Sequence, residues 1–129
     1  MSNAGLVRPN LSQDEEALLL KGLMEWAGPA RCTDAYAIAM GFDGVTGMTT
    51  ECLRIRAALT DGGGLTAADW ARAVLATETA FTSDTMGSGY EWATTTGLTD
   101  AWTIKTLRSL QRKLTPLMVH VDLGHLRDL

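Results

Sequence analysis

Few residues in this chain are placed to do chemistry. Glu78 is the first of them. It lies beside an apolar helical stripe, where a carboxylate is partly withdrawn from water. Arg56 projects into the stripe of another helix, and Arg108 is a second candidate cation for Glu78. An unpaired buried charge is expensive, so the spacing predicts an internal ion pair of Arg56 with Glu78 that fixes helix register. The chemical alternative is a carboxylate of altered proton affinity in a ligand site or active site. Acid–base work wants a second positioned group, and Asp84 is the only obvious second acid. His120, Asp122 and His125 are the one cluster of metal-ligand types, but H-x-D-x4-H suits no helical face and lacks further ligands. No metal or other cofactor is therefore expected. Cys32 and Cys52 match no metal spacing and read as reduced, buried thiols. Gly87-Ser88-Gly89 has glycines like those of a phosphate loop, but neither a preceding strand nor a Gly-Lys-Ser/Thr ending. It reads as a flexible turn. No Ser-His-Asp or Cys-His spacing stands out.

The segment that holds those glycines, residues 82–99 (TSDTMGSGYEWATTTGLT), carries the strongest binding signal. It separates two well-marked helices and is longer than most helix connections. It contains Met86, Tyr90 and Trp92, the acids Asp84 and Glu91, with Asp100 at its edge, and no basic residue. Interface hot spots favour Tyr and Trp, and acids around them attract a basic partner. The alternative is that both aromatics cap the core. Ser88 and Glu91 form an S-x-x-E pattern, so a short helix over residues 89–95 is expected, ended by Gly97.

The elements that position these residues are helices. Ser12 and Glu15 form a capping box, and Asp14, Glu15 and Glu16 suit the positive end of the helix dipole. Leu19, Leu20, Leu23, Met24 and Trp26 give that helix its apolar face, and Gly28-Pro29 ends it. Thr33 caps a short second helix that stops at Gly41. A glycine-rich connection, residues 42–47, leads to a third helix over residues 50–59, with Met48, Cys52, Ile55 and Leu59 at helical spacing. Thr66 and Asp69 announce the fourth helix, with Leu65 and Trp70 as a hydrophobic staple and Val74, Thr77 and Phe81 continuing the stripe. Thr99 starts a fifth, whose inner side is Ile104, Leu107, Leu110, Gln111 and Leu114. Lys105, Arg108 and Arg112, with nearby Lys113, read as a solvated basic face. Thr115-Pro116 is either a stop or the start of another short helix, and residues 117–129 form a short helix or docked tail. The expected fold is all-α: a compact bundle of about five short-to-medium helices packed obliquely, plus the short helix in residues 82–99.

A chain of 129 residues with 46% hydrophobic and 20% charged residues can bury one core, which argues against disorder. Residues 1–10 read as a disordered or vector-derived N-terminus, and residues 11–129 as one helical domain. The net charge of −4 argues against a broad nucleic-acid or anionic-membrane surface. Helices two and three resemble a helix-turn-helix, but their connection looks too long and offers only Arg54 and Arg56 as contacts. No run is long and apolar enough to span a bilayer, and no signal peptide is evident, so a cytoplasmic location is expected.

Ala39-Met40-Gly41-Phe42 resembles the M-G-F turn of ubiquitin-associated domains over four residues, and a glycine C-cap before a buried Phe explains it equally. The stretches DWARAVLATE (residues 69–78), SDTMGSGYEW (83–92) and LRSLQRKL (107–114) resemble small helical actinobacterial proteins, some of which are similar to immunity proteins of bacterial toxin systems. The resemblance spans roughly the C-terminal half. It implies a non-enzymatic, cytoplasmic protein that neutralises a toxin domain with a basic surface by direct binding. Asp84, Met86, Tyr90, Glu91, Trp92 and Asp100 would form the contact. The alternatives are a small enzyme or ligand-binding domain using Glu78, and a nucleic-acid-binding regulator using Lys105, Arg108 and Arg112.

Overall fold

Local capping sets most helix starts in the computed structural model, which describes residues 5–28, 30–62, 64–119 and 121. Helix α1 (Gln13–Glu25) opens on the complete capping box: Ser12 Oγ accepts from the Glu15 amide at 3.1 Å, and Glu15 Oε1 accepts from the Ser12 amide at 2.8 Å. Leu18, Leu19 and Leu23 are buried on this helix, while Met24, expected inside, is 44% exposed. Thr33 caps α2 (Asp34–Ala39), and Gly41 follows it at φ 95°, a conformation that costs a Cβ-free residue little. Phe42 is buried just beyond, with its amide donating to the Ala37 carbonyl.

Helix α3 (Gly44–Thr60) starts earlier than the expected residue 50. Its flanking Asp43 makes no cap; the carboxylate of Asp34, from α2, accepts from the Val45 amide at 2.9 Å instead. A cap supplied by another helix leaves no local signature. The α2–α3 connection is thus residues 40–43, which corrects the expectation of a linker too long for a helix-turn-helix. The Met48, Cys52, Ile55 and Leu59 stripe is buried.

The N-terminal segment is part of the fold from residue 6. Strand β1 (Leu6–Val7) pairs antiparallel with β2 (Leu65–Thr66), and half-buried Val7 packs on the core. The Val7 carbonyl accepts from Trp70 Nε1 at 3.0 Å. Helix α4 (Ala67–Thr82) starts at Thr66, as expected, with Leu65 and Trp70 both buried. Asp69 does not complete a capping box; its Oδ1 accepts from Arg54 Nη2 at 2.7 Å and from Arg72 Nη1 at 2.9 Å.

A 3-10 turn (Gly89–Glu91) runs into α5 (Trp92–Thr96), which ends at Gly97 with φ 78°. Helix α6 (Asp100–Met118) is capped by Thr99 and continues through Pro116. A proline near the helix end forfeits a single ladder bond, and Leu114, Leu117 and Met118 hold that turn on the core.

The architecture is mostly α-helical: six helices and one two-stranded pairing among the described residues. Helix α1 is the hub and touches α3, α4, α5 and α6; α4 also packs on α6, and α2 on α3. Three buried tryptophans tie distant segments together while keeping their indole N–H groups bonded: Trp26 to the Ala76 carbonyl, Trp70 to Val7, and Trp92 to Thr103. Gly22 lets α1 and α4 approach, since a Cβ there would lie 2.8 Å from Thr77 Cβ.

Candidate functional site

The 82–99 segment is a packed structure. Its first turn closes when the Met86 amide donates to Ser83 Oγ at 3.0 Å. The Ser88 amide donates to the Ala80 carbonyl at 2.7 Å, laying the chain back on the end of α4. Gly87 permits that approach, because a Cβ would sit 2.7 Å from Ala80 Cα. The glycines therefore serve close packing against the carbonyl end of a helix, a poor place for phosphate. The expected flexible turn is corrected accordingly.

Glu25, buried at the end of α1, anchors the segment from below. Its Oε1 accepts from Ser88 Oγ at 2.5 Å and from Thr95 Oγ1. Ser88 therefore spends its hydroxyl on α1 and does not cap the turn, although the turn forms where expected. The Arg31 amide donates to the Met86 carbonyl at 2.5 Å, joining the α1–α2 connection to the same unit.

Trp92 points inward. It is 0% exposed, donates from Nε1 to Thr103 Oγ1 at 2.9 Å, and meets Phe81 edge-on with ring centroids 5.5 Å apart. This removes Trp92 from the expected contact surface. The cause is the helical period: residues two apart fall on opposite sides of one turn, and the larger ring takes the core. Met86 is half-buried against the core as well.

Tyr90, by contrast, is 80% exposed. Its amide donates to Asp84 Oδ1 at 2.7 Å, so the acid holds the turn that displays the ring. Gly89, at φ 51°, makes room for this: a Cβ there would lie 2.5 Å from Asp84 Cα. Asp84, Tyr90 and Glu91 share one small cleft of about 50 Å3 with Gly87, Ser88 and Arg31. The segment itself has no base, but the fold sets Arg31 beside its acids. Asp100 is exposed elsewhere, on the first turn of α6.

The expected Arg56–Glu78 ion pair does not form. Glu78 Oε2 accepts from Gln111 Nε2 at 2.5 Å, and Arg56 Nε is buried without a hydrogen-bond partner. Arg56 sits on α3 and Glu78 on the part of α4 that faces α6, and α1 packs against both helices. Glu78 instead borders a groove of about 460 Å3 between α4 and α6. Phe81 and Leu107 form its apolar floor, Ile104 its rim, and Gln111 and Arg108 its polar end. Ile104, expected inside, is 52% exposed. Arg108 Nη1 donates to Gln111 Oε1 at 3.1 Å, so a guanidinium, an amide and a carboxylate run in sequence along that end.

The other charged cluster is structural. Asp69, buried, gathers Arg54 and Arg72; Arg54 also bonds Glu51, and Arg72 Nε donates to the Gly41 carbonyl. The hydrogen bond that Arg54 donates to Asp69 outweighs burial and raises the Arg54 proton affinity, which keeps the guanidinium charged. Burial pushes the Cys52 thiol up to about 12, and Cys32 up in the same direction. Lys105, Arg108 and Arg112 are exposed as expected, as is Lys113, which reaches the buried Glu15. His120, Asp122 and His125 lie outside the described residues. No helix among the described residues is long and apolar enough to cross a membrane. Compared with family models, curated proteins and solved structures, the chain finds no match.

Proposed function

We propose that this chain is a non-enzymatic protein-binding domain, most specifically a cytoplasmic immunity protein that neutralises a bacterial toxin by direct binding. The observation that carries the reading is Tyr90: an aromatic ring 80% exposed on a turn fixed by hydrogen bonds, with Asp84 and Glu91 beside it. A rigid tyrosine loses little entropy on contact, and flanking acids steer a basic surface towards it. The contact set is Asp84, Tyr90 and Glu91, with Asp100 at a distance. Trp92 and Met86 support it from within.

The test uses the product of the reading frame next to this gene as partner. Tyr90→Ala with Glu91→Lys should weaken its binding by roughly 30-fold or more, the effect of losing a hot spot of about 2 kcal/mol. Melting temperature should stay close to that of the parent, because neither side chain is buried. Binding should also weaken as salt rises. Unchanged affinity in the double variant would remove Tyr90 and Glu91 from the function.

A further inference from the structure

The groove between α4 and α6 is lined by one acid and one base, and an amide keeps them from pairing. Gln111 donates from Nε2 to Glu78 Oε2 at 2.5 Å and accepts on Oε1 from Arg108 Nη1 at 3.1 Å. Each charge is only half used. Among the described residues, Glu78 Oε1 and the Nε and Nη2 of Arg108 have no partner in the protein. Two hydrogen bonds and the amide between them set the carboxylate and the guanidinium roughly 6–8 Å apart. That span suits one small zwitterion. An α-amino acid carries its ammonium and carboxylate roughly 3 Å apart, and a charge-assisted hydrogen bond of about 2.8 Å on each side reaches both groups.

The rest of the groove asks for an apolar side chain. Phe81 and Leu107 form its floor and half-exposed Ile104 its rim, in a space of about 460 Å3. Phe81 is held edge-on against buried Trp92, so the floor is fixed. Ile104 stands about 10 Å from Gln111 along α6, room for a side chain the size of leucine or phenylalanine. An uncharged ligand would leave both charges unmet, and a lone cation or anion would meet one and be repelled by the other. In a peptide the two charges stand at opposite ends, so the adjacent pair marks a free amino acid.

We infer that this groove binds a free zwitterionic α-amino acid with a large apolar side chain. Its ammonium meets Glu78 Oε1, its carboxylate meets Arg108, and its side chain lies over Phe81 and Leu107. This goes beyond the protein-binding reading and does not rest on it.

The probe is L-phenylalanine, titrated into the isotope-labelled chain at low salt. It should shift the methyl signals of Ile104 and Leu107 and the side-chain amide of Gln111, saturating below about 10 mM. N-acetyl-phenylalanine lacks the ammonium and phenylalanine amide lacks the carboxylate; each should bind about fivefold more weakly, the scale of one exposed ion pair. L-alanine, without the side chain, should not saturate. Glu78→Gln should abolish the preference over the N-acetyl form alone, and Arg108→Gln the preference over the amide alone. Each preference is a ratio within one protein, so a loss of stability in a variant does not imitate it. No saturation at about 10 mM would overturn the inference, as would equal binding of all three phenylalanine compounds, which would make the groove an apolar patch only. Tyr90→Ala with Glu91→Lys should leave the titration unchanged, so a failure here is separate from a failure of the Tyr90 surface.

Discussion

Replacing Glu15 with glutamine should remove a large and pH-dependent share of the stability of this domain. The Glu15 side chain is 2% exposed. It accepts from Lys113 Nζ at 2.6 Å, Ser109 Oγ at 2.6 Å and the Ser12 amide at 2.8 Å. Burial pushes its carboxyl up, but the hydrogen bonds from Lys113, Ser109 and Ser12, with the Lys113 charge, together outweigh it and hold the group at about 2, against an ordinary 4.5. A carboxyl depressed on folding stabilises the native state above its unfolded value. That contribution is complete above about pH 4.5 and is lost as pH falls towards 2. At about 1.4 kcal/mol for each tenfold change in proton affinity, the depression corresponds to about 3 kcal/mol. Lys113 is 40% exposed, and solvent screening brings the expected value to about 2–3 kcal/mol. Glutamine keeps the shape: its carbonyl in the Oε1 place still accepts from Ser12 and Lys113, and its amide in the Oε2 place donates to Ser109 Oγ, so the substitution isolates the charge. Urea unfolding followed by tryptophan fluorescence, at a series of pH values, measures the difference between the two proteins. The difference should be about 2–3 kcal/mol at neutral pH and shrink steadily below about pH 4.5. A constant difference down to about pH 2.5 would refute the electrostatic account of this site.

Trp92→Ala should destabilise by about 3–5 kcal/mol, the cost of emptying a buried indole site, while Tyr90→Ala should stay within about 0.5 kcal/mol; chemical denaturation of both gives the comparison. Gly22→Ala should cost about 1–3 kcal/mol, because the new methyl meets Thr77 across the α1–α4 crossing; Thr77→Ser together with Gly22→Ala should recover part of it. A thiol reagent at neutral pH should modify Cys32 slowly and Cys52 only on unfolding, since burial holds the Cys52 thiol at about 12; mass spectrometry of the labelled chain identifies which sulfur reacted.

The sites were legible in part. Composition marked Tyr90, Asp84 and Glu91 as a candidate contact, because aromatics stand there among acids with no base, but it left core packing open for both aromatics. The direction of Trp92 could not be read, since either face of a single turn was open until Phe81 and Thr103 supplied a slot and a hydrogen-bond acceptor. The Arg56–Glu78 pairing failed for a related reason. Two charges that each face an apolar stripe meet only if their helices do so at that level, and here Gln111 of α6 takes Glu78. Arg31 beside the acids, and the groove over Phe81 and Leu107, involve residues more than fifteen positions apart and leave no mark in any local window.

By itself the sequence determined where most helices begin and which stripes are buried. Ser12 with Glu15, Thr33, Thr66 and Thr99 act over three residues, and a hydrophobic stripe acts over one or two turns, so spacing alone states them. Tertiary structure decided what the helices do to one another: Asp34 capping α3, Glu25 bracing the 82–99 segment, Trp92 turned inward, and the groove left open beside Glu78. Those outcomes depend on how helices cross and how closely small residues such as Gly22 and Gly87 let them approach, quantities set by packing of the whole core rather than by neighbours along the chain.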